Sequence, residues 1–338
     1  MKKRGKGMSV MGHSTGRYGG GDPSEARVHL KIDGTFNLEV GTPEIGQGVN
    51  TAFIQIAAEE LDVPYEAISF SNIDTDVAPY CTGTFASRAL FFTGNAIIKA
   101  CKDLKEKMKK FAALIMGVNP DQLEMADNKI YMKDNPNKAM SMAEIGTACI
   151  MRGSFLNGVG TYTAGGPSPI NPVTGEQPLV AAAAFGTCVV EVKVDTEIGV
   201  VEVLKMIHVY DVGRVINLLN CKQQVSGGAA HGIGMALFED AHPYWPSIEY
   251  AVNNLADYVL PTAADMPVES EYSFVEKPHP DGPFGAKGFG EGTPNAIIPA
   301  IAAAIHDAVG IWIFQWPITP ESILRALEAK KVGEQSRY

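Results

Sequence analysis

The chain has 338 residues, of which 46% are hydrophobic and 20% are charged, so it can bury a sizeable core, and its length suggests about two domains. Its formal net charge of -10 argues against a nucleic-acid-binding surface, although a local anion site is compatible with it. No apolar run approaches the ~20 residues of a membrane span, and the basic start of the chain is not followed by the apolar segment of a signal peptide.

The five cysteines are odd in number and widely spaced, and none belongs to a C-x-x-C pair. This usage is typical of reduced thiols, so we expect a cytoplasmic protein. The same spacing argues against a zinc or iron–sulfur site built by this chain alone.

The first predicted elements form a hairpin. Residues 1–25 are glycine-rich and polar, and we interpret them as an extended lead-in. Ala26–Ile32 and Thr35–Val40 then alternate apolar and polar side chains around Asp33-Gly34, which predicts two strands joined by a two-residue turn. A further strand is predicted at Ala67–Ser71.

A glycine-rich loop, residues 41–48, precedes a helix predicted from Asn50 to Leu61, where apolar residues recur at helical spacing. A loop that leads into a helix N-terminus presents backbone N–H groups, which suit a phosphate or another anion. The loop lacks the G-x-G-x-x-G and G-K-[ST] patterns, so neither a dinucleotide-binding fold nor a P-loop is indicated. Taken alone, it is explained more simply as a tight turn.

A second loop, Thr82–Arg88, leads into a long helix predicted to reach Leu114. The hydroxyl groups of Thr84 and Ser87 suit two roles, either as a cap for this helix or as ligands for an anion.

The next part of the chain is predicted to hold a short hairpin around Asn128–Met132 and a helix near Met142–Ile150. The segment Gly158–Gly175 is rich in glycine, proline and threonine. We interpret it as the boundary between a first lobe, residues 1–160, and a second lobe, residues 161–338, which carries the candidate catalytic loop.

The second lobe is predicted to begin with two long strands, Ala183–Val194 and Val200–Tyr210, and to continue with a helix over Cys221–Glu239. Four glycines lie in this helix, and each costs about 1 kcal/mol relative to alanine, which indicates close approach of another backbone or of a ligand. Gln224 and His231 are seven residues apart and therefore share a face. A core or interface role is the simpler interpretation of His231.

The stretch Gly285–Pro294 places one carboxylate, Glu291, among four glycines. Thr293-Pro294 predicts the N-cap and first residue of an apolar helix to about His306, which places Glu291 just before a helix N-terminus. The partial positive charge there favours an ionised carboxylate, and a sterically open glutamate is a credible general base. A solvated surface turn is the simpler interpretation of this stretch alone.

Tyr272–Glu276 is predicted as a strand, and Thr319-Pro320 as the start of a closing helix. Both halves thus run strands, then a glycine-rich loop, then a helix. We therefore expect an α+β fold class, with two mixed α/β lobes whose glycine-rich loops converge on one cofactor site.

Several stretches carry motifs that are specific in combination: Glu44–Gly48 with Gln55–Leu61, Asp74-Thr75 with Gly83–Arg88 and Gly94–Ala96, Gln224–Gly234, Asp257–Pro267, and Gly285–Glu291. In this order they resemble the molybdenum hydroxylase family, which includes xanthine dehydrogenases and aldehyde oxidoreductases. The resemblance spans about residues 25–330 and covers the second molybdopterin-binding half of the family's large subunit. The chain is accordingly expected to be a naturally split subunit.

The resemblance implies molybdenum held through the dithiolene of a molybdopterin, in its cytosine dinucleotide form, with a labile selenido or sulfido ligand and no protein ligand to the metal. It implies Glu291 as the catalytic base. It also implies that Arg88 offers a fork-shaped cation to the pyrophosphate. The cofactor-binding residues implied by the resemblance are Gly46, Gln47, Gly48, Thr84, Phe85, Ala86, Ser87, Arg88 and Gln224.

The implied reaction is hydroxylation of a ring carbon of an N-heteroaromatic compound such as nicotinate, as in the nicotinate dehydrogenases of the family. The implied partners are a larger molybdopterin subunit, an FAD subunit and a [2Fe-2S] iron–sulfur subunit, with neither nucleic acid nor a membrane involved. Two alternatives stay open: a purine (xanthine) dehydrogenase or aldehyde oxidoreductase subunit, and a non-catalytic scaffold that holds the cofactor. Where the family has Gln this chain has His231, whose role is unassigned, and Lys287 is interpreted as fixing its loop.

Overall fold

The computed structural model describes residues 1–19, 21–71, 74–165, 170–176, 180–240, 255–256 and 258–333. The described residues form strands β1 (Lys2–Thr15), β2 (Ser24–Leu30), β3 (Phe36–Val40), β4 (Ile68–Phe70), β5 (Leu123–Ala126), β6 (Lys129–Met132), β7 (Asn135–Ser141), β8 (Asn157–Tyr162), β9 (Ala182–Asp195), β10 (Val201–Asp211) and β11 (Glu269–Val275). Their helices are α1 (Val49–Leu61), α2 (Ala89–Met116), α3 (Met142–Met151), α4 (Leu218–Leu237), α5 (Ile297–Val309) and α6 (Pro320–Lys331).

One hydrophobic core lies against a four-stranded sheet with the order β1-β9-β10-β11. In this sheet β9 is antiparallel to both of its neighbours, whereas β11 runs parallel to β10. Buried valines alternate with partly exposed residues along β9, which is the pattern of a strand covered on one face. The helix α5 packs on β1 because Gly7 leaves room for it; a Cβ atom on Gly7 would lie 2.1 Å from the carbonyl oxygen of Ala300.

The prediction that residues 1–25 form an extended lead-in is wrong. Residues 2–15 pair with β9 along their whole length, from Lys2 opposite Asp195 to Thr15 opposite Ala182. The strand is hidden in the sequence because its inward positions 5 and 7 are glycines instead of large apolar residues. The end of this strand carries His13 to the candidate site.

A second core lies between the sheet β4-β3-β2-β8 and helices α1 and α2. Gly160 of β8 allows α2 to approach, since a Cβ atom there would lie 2.2 Å from the carbonyl oxygen of Ala96. The predicted β2–β3 hairpin is confirmed, but its connection is longer than the predicted two-residue turn, because the Lys31 N–H donates to the Thr35 carbonyl and residues 32–34 form the tip. The strands β5, β6 and β7 form a separate small sheet.

The α+β fold class is confirmed by this arrangement. The division into lobes at residue 160 stays a prediction, and β1 lies in the sheet built by the second part of the chain. Two predicted segments extend beyond the described residues, since residues 166–169 of the boundary and Asp257 of the family motif are not described. Within the described ranges, no helix is long and apolar enough to cross a membrane.

Candidate active site

A cavity of about 650 Å³ lies where the loops that precede α1 and α2 meet the helix α4 and the loop that contains Glu291. Nine of the ten predicted site residues line it: Gly46, Gln47, Gly48, Thr84, Phe85, Ser87, Arg88, Gln224 and Glu291. Ala86 is not a lining residue, although it precedes Ser87 in the same loop. The glycine-rich loops therefore converge as expected, while the individual roles of these residues stay predictions.

The Glu291 carboxylate is held through one of its two oxygens. Ser87 Oγ donates a hydrogen bond to Glu291 Oε2 at 3.0 Å, and the Glu291 backbone N–H donates to Ser87 Oγ at 3.1 Å. His13 Nε2 lies 3.3 Å from the same Oε2. Among the described residues no hydrogen-bond donor contacts Oε1, and 53% of the Glu291 side chain is exposed. This leaves one carboxylate oxygen available to a ligand.

Backbone geometry brings Ser87 to this carboxylate. Ala86 and Ser87 adopt φ values of 48° and 50°, a left-handed conformation that non-glycine residues rarely adopt. Gly288 comes so close that a Cβ atom on it would lie 1.7 Å from the Ser87 carbonyl oxygen, and Thr15 Oγ donates to the Gly288 carbonyl at 2.9 Å. Backbone strain of this kind is concentrated at functional sites, where the surrounding structure enforces it.

Of the two roles left open for Thr84 and Ser87, the helix-capping role is wrong. The helix α2 begins at Ala89 without a side-chain cap, because Ser87 contacts Glu291 and Thr84 Oγ donates to the Pro43 carbonyl at 2.7 Å. The expected Thr293 cap of α5 is wrong as well, since that helix begins at Ile297 and Thr293 Oγ donates to the Gly290 carbonyl at 2.7 Å. Glu291 therefore lies in a separate 3₁₀ turn, Gly290–Gly292, and not at the N-terminus of α5.

Lys287 fixes the loop that contains Glu291. Its Nζ donates to Asp211 Oδ2 at 2.7 Å, with both side chains largely buried, and its backbone N–H donates to the Val212 carbonyl. These contacts tie the loop to the end of β10, which agrees with the loop-fixing interpretation of Lys287.

The Arg88 guanidinium is fully buried and does not face the cavity as a free cation. Its Nε lies 2.6 Å from Asp22 Oδ1, and Nη2 donates to Ser24 Oγ at 2.6 Å. Its Nη1 donates to the Gly83 carbonyl at 2.8 Å and lies 3.0 Å from Cys81 Sγ. The geometry therefore does not support the expected bidentate interaction of Arg88 with a pyrophosphate. The guanidinium instead makes its contacts within the protein and stabilises the loop that precedes α2.

The Cys81 thiol belongs to the same buried network. Burial by itself raises the pKa of Cys81, but hydrogen bonds from Thr42, Ser24 and Gly83, together with the charge of Arg88, outweigh burial and hold that pKa below its usual value. The network links the loops that precede α1 and α2.

The N–H groups at the start of α1 already have an anionic partner within the chain. Glu44 Oε1 accepts hydrogen bonds from the backbone of Gly46 at 3.0 Å and of Gly48 at 2.8 Å, and Glu44 Oε2 accepts from Asn50 at 3.2 Å. These N–H groups are therefore already occupied in this structure, and their role in anion binding stays a prediction. Gln47 is likewise tied within its loop, since its Oε1 accepts from the Ile45 N–H.

The helix α4 lines another part of the cavity and packs against the loop that contains Glu291. Gln224 and His231 both line it, which confirms that they share a face. The His231 ring is exposed, so the core interpretation is wrong, while the interface interpretation stays a prediction. A Cβ atom on Gly228 would lie 2.0 Å from Thr293 Oγ, whereas one on Gly227 would meet no described residue within 4 Å. Gly228 thus permits close packing, and Gly227 borders open space.

These residues fit a large polar ligand. Within the described part of the chain, the side chains of Gln224, His231 and Arg214 line the cavity and make no hydrogen bond or ion pair with other residues. The open space beside Gly227 and Gly46 would accept bulk that a side chain does not fill. Unpaired polar groups around an otherwise mainly apolar cavity are typical of cofactor sites.

Sequence comparison decides the family. Residues 1–267, more than half of the chain, match the molybdopterin cofactor-binding domain. The chain belongs to this family. The match ends before Glu291, so the role of that residue rests on the motif and on the geometry described above.

Relatives of the chain include subunits of several molybdenum enzymes. The putative xanthine dehydrogenase molybdenum-binding subunit of Escherichia coli K12 is 32% identical over 327 residues, which are 95% of this chain and 42% of that protein. The gamma subunit of the 6-hydroxypseudooxynicotine dehydrogenase complex of Paenarthrobacter nicotinovorans is 30% identical over 320 residues, which are 91% of this chain and 38% of that subunit. The chain thus spans about two fifths of the length of these curated relatives. The resemblance to molybdenum hydroxylases is confirmed.

Solved structures show the same fold. The chain resembles quinoline 2-oxidoreductase from Pseudomonas putida 86 with a TM-score of 0.83 and 26% identity, over 97% of this chain and 42% of that one. The aldehyde oxidoreductase from Desulfovibrio gigas gives a TM-score of 0.79 and 30% identity, over 97% of this chain and 33% of that one.

Sequence reasoning missed two residues of the site. His13 was hidden in the supposed lead-in, and only the pairing of β1 with β9 brings it to Glu291. Arg214 lies between β10 and α4 and lines the cavity. Neither position has a local sequence pattern that predicts a ligand-binding role.

Proposed function

We propose that this chain is a catalytic-half subunit of a molybdenum hydroxylase, with Glu291 as the general base of the reaction. The observation that carries the proposal is the geometry of the carboxylate, which is held at Oε2 by Ser87 while Oε1 lacks a donor among the described residues and the side chain lines the cavity. A base positioned in this way can accept a proton at Oε1 while Oε2 keeps its hydrogen bond with Ser87.

The molybdopterin cofactor, when bound, supplies the redox and oxygen-transfer chemistry, and the protein supplies orientation and electrostatics. The proposed contacts come from the loop at Gly46–Gly48, from the loop at Thr84–Ser87 and from the Gln224 amide, which has no partner among the described residues. For Arg88 we propose a supporting role, because its guanidinium is already paired with Asp22. We propose the cytosine dinucleotide form of the pterin and a sulfido or selenido ligand on the metal.

The proposed substrate is an N-heteroaromatic compound related to nicotinate, hydroxylated at a ring carbon with oxygen from water. The similarity to the gamma subunit of a 6-hydroxypseudooxynicotine dehydrogenase complex and to quinoline 2-oxidoreductase supports this substrate class. The similarity to a putative xanthine dehydrogenase subunit and to an aldehyde oxidoreductase favours a second candidate, oxidation of a purine or an aldehyde.

The proposed partners are a larger molybdopterin subunit, an FAD subunit and an iron–sulfur subunit. The chain matches only about two fifths of its first relatives, and one of these is named as a subunit of a complex. The half-exposed Glu291 fits a cavity that a second chain completes. Electrons removed from the substrate would leave through the iron–sulfur and FAD subunits.

The substitution Glu291→Gln in the assembled complex tests the proposal. Glutamine keeps the shape of the side chain and an oxygen that accepts from Ser87, but it cannot accept the proton. We expect turnover of nicotinate to fall by about 10²–10⁴-fold, while the molybdenum and pterin contents stay at the wild-type level. The matched control Glu328→Gln changes an exposed carboxylate on α6 and should leave turnover unchanged.

Substantial turnover by the Glu291→Gln complex would contradict the proposal and would favour a scaffold that only holds the cofactor. A comparison of nicotinate, hypoxanthine and an aromatic aldehyde as substrates separates the two candidate reactions. We expect the wild-type complex to prefer nicotinate, and a preference for the purine or the aldehyde would replace the proposed substrate with the second candidate.

A further inference from the structure

The contact between His13 and Glu291 joins two parts of the chain that are 278 residues apart. His13 Nε2 lies 3.3 Å from Glu291 Oε2, the same oxygen that accepts from Ser87 Oγ. Only 20% of the His13 side chain is exposed, compared with 53% for Glu291. The imidazole is therefore the more buried member of the pair, and the carboxylate is the member more open to solvent.

The position of His13 is set by the fold. Its backbone pairs with Ala184 of β9, and its neighbours at alternate positions, Met11 and Thr15, are buried. Gly292 packs directly against it, since a Cβ atom on Gly292 would lie 3.0 Å from the His13 Cβ. A side chain on a paired strand is held more firmly than one on a surface loop. The contact therefore depends both on the sheet, which positions His13, and on the loop that positions Glu291.

We propose that His13 is a positioning residue for Glu291. Its Nε2–H and the Ser87 hydroxyl both donate to Oε2, and together they direct Oε1 to the cavity. This inference rests on the proposed function, in which Glu291 is the base. A carboxylate with two donors on one oxygen has little rotational freedom, so its second oxygen meets the proton in a constant orientation.

Two substitutions separate a hydrogen-bonding role from a packing role. His13→Phe keeps an aromatic ring but has no donor, whereas His13→Gln places an amide N–H near the position of Nε2. In the assembled complex we expect His13→Phe to lower kcat about tenfold, with KM changed by less than about twofold and the molybdenum and pterin contents unchanged. We expect His13→Gln to restore kcat to within about threefold of the wild-type value.

A spectroscopic measurement tests the contact without turnover. In the complex labelled with ¹⁵N-histidine, the ring-nitrogen resonances of His13 report on its hydrogen-bond partner. We expect Glu291→Gln to shift the His13 Nε2 resonance and to leave His29 unchanged, because His29 pairs with Glu39 within the β2–β3 hairpin and not with Glu291. A His13 resonance that does not respond to Glu291→Gln would overturn the inference.

The two proposals fail in different ways. If Glu291→Gln abolishes turnover while His13→Phe turns over like the wild type, His13 is not a positioning residue and the proposed function stands. If both variants turn over like the wild type, Glu291 is not the base, and the role of His13 fails with it. If His13→Gln is as slow as His13→Phe with full cofactor content, the donor is not what matters, and the inference is also overturned.

Discussion

A buried histidine of the β1-β9-β10-β11 sheet should make the stability of the protein depend on pH. His208 of β10 is 0% exposed, and neither of its ring nitrogens has a hydrogen-bond partner among the residues that the structure describes. Its ring stacks between Tyr210 and Tyr272, at centroid distances of 6.2 Å and 5.6 Å. Burial lowers the pKa of His208 from its ordinary 6.5 to about 4, because the charged form would lose its hydration without gaining a partner.

The sign and the magnitude of the effect follow from this pKa. Between pH 6.5 and about 4 the unfolded chain binds a proton at His208 that the folded chain does not, so the free energy of unfolding falls as the pH is lowered. Within this interval, each pH unit lowers the free energy of unfolding by about 1.4 kcal/mol, which amounts to about 3 kcal/mol over the whole interval. Above pH 6.5 His208 contributes no pH dependence.

The substitution His208→Phe isolates this contribution. Phenylalanine retains the stacked ring and removes both unpaired nitrogens, so the variant should be at least as stable as the wild type at pH 7. Urea unfolding of both proteins at pH 7.0, 5.5 and 4.5 should show that the variant gains relative stability as the pH falls, by about 2–3 kcal/mol at pH 4.5. Tyr272→Phe is the matched control, since it changes a neighbouring ring and keeps the imidazole. A parallel pH dependence of the His208→Phe variant and the wild type would refute the reasoning.

Two further predictions concern packing and charge burial. Asp22→Ala leaves the buried Arg88 guanidinium without its carboxylate and should lower the free energy of unfolding by about 3–5 kcal/mol; a loss below about 1 kcal/mol in denaturant titrations would argue against a buried ion pair. Gly7→Ala forces a Cβ atom against Ala300 and should lower the free energy of unfolding by about 1–3 kcal/mol. Gly227→Ala places its Cβ atom in space that no described residue fills, so it should retain or raise thermal stability and reduce the molybdopterin content of the complex. Equal melting temperatures for the two variants would contradict this account.

Much of the fold could be predicted because its elements have local signals. The hairpin β2–β3, the helices α1 and α2, and the long strands β9 and β10 all have clear apolar periodicity. The strand β1 could not be predicted in this way, since glycines occupy its inward positions and its identity depends on pairing with β9, more than 160 residues later. Long-range pairing leaves no local pattern in such a strand.

The site was predicted better in its location than in its contacts. The glycine-rich loops marked the cavity, but the partners of its polar groups depend on tertiary structure. The pairing of Arg88 with Asp22 joins residues whose sequence neighbourhoods give no sign of the contact, whereas the Glu44 contacts at the start of α1 are local. Ser87 does not cap α2 because its hydroxyl makes a tertiary hydrogen bond with Glu291, and Thr293 does not cap α5 because its hydroxyl donates to the Gly290 carbonyl in the preceding turn.

The most direct test of the central claim is a structure of the assembled complex with its cofactor bound. The account predicts that Glu291 is the carboxylate nearest to the molybdenum, with Oε1 directed toward the metal and Oε2 in contact with Ser87. A partner-chain carboxylate in that position, with Glu291 directed away from the pterin, would contradict it.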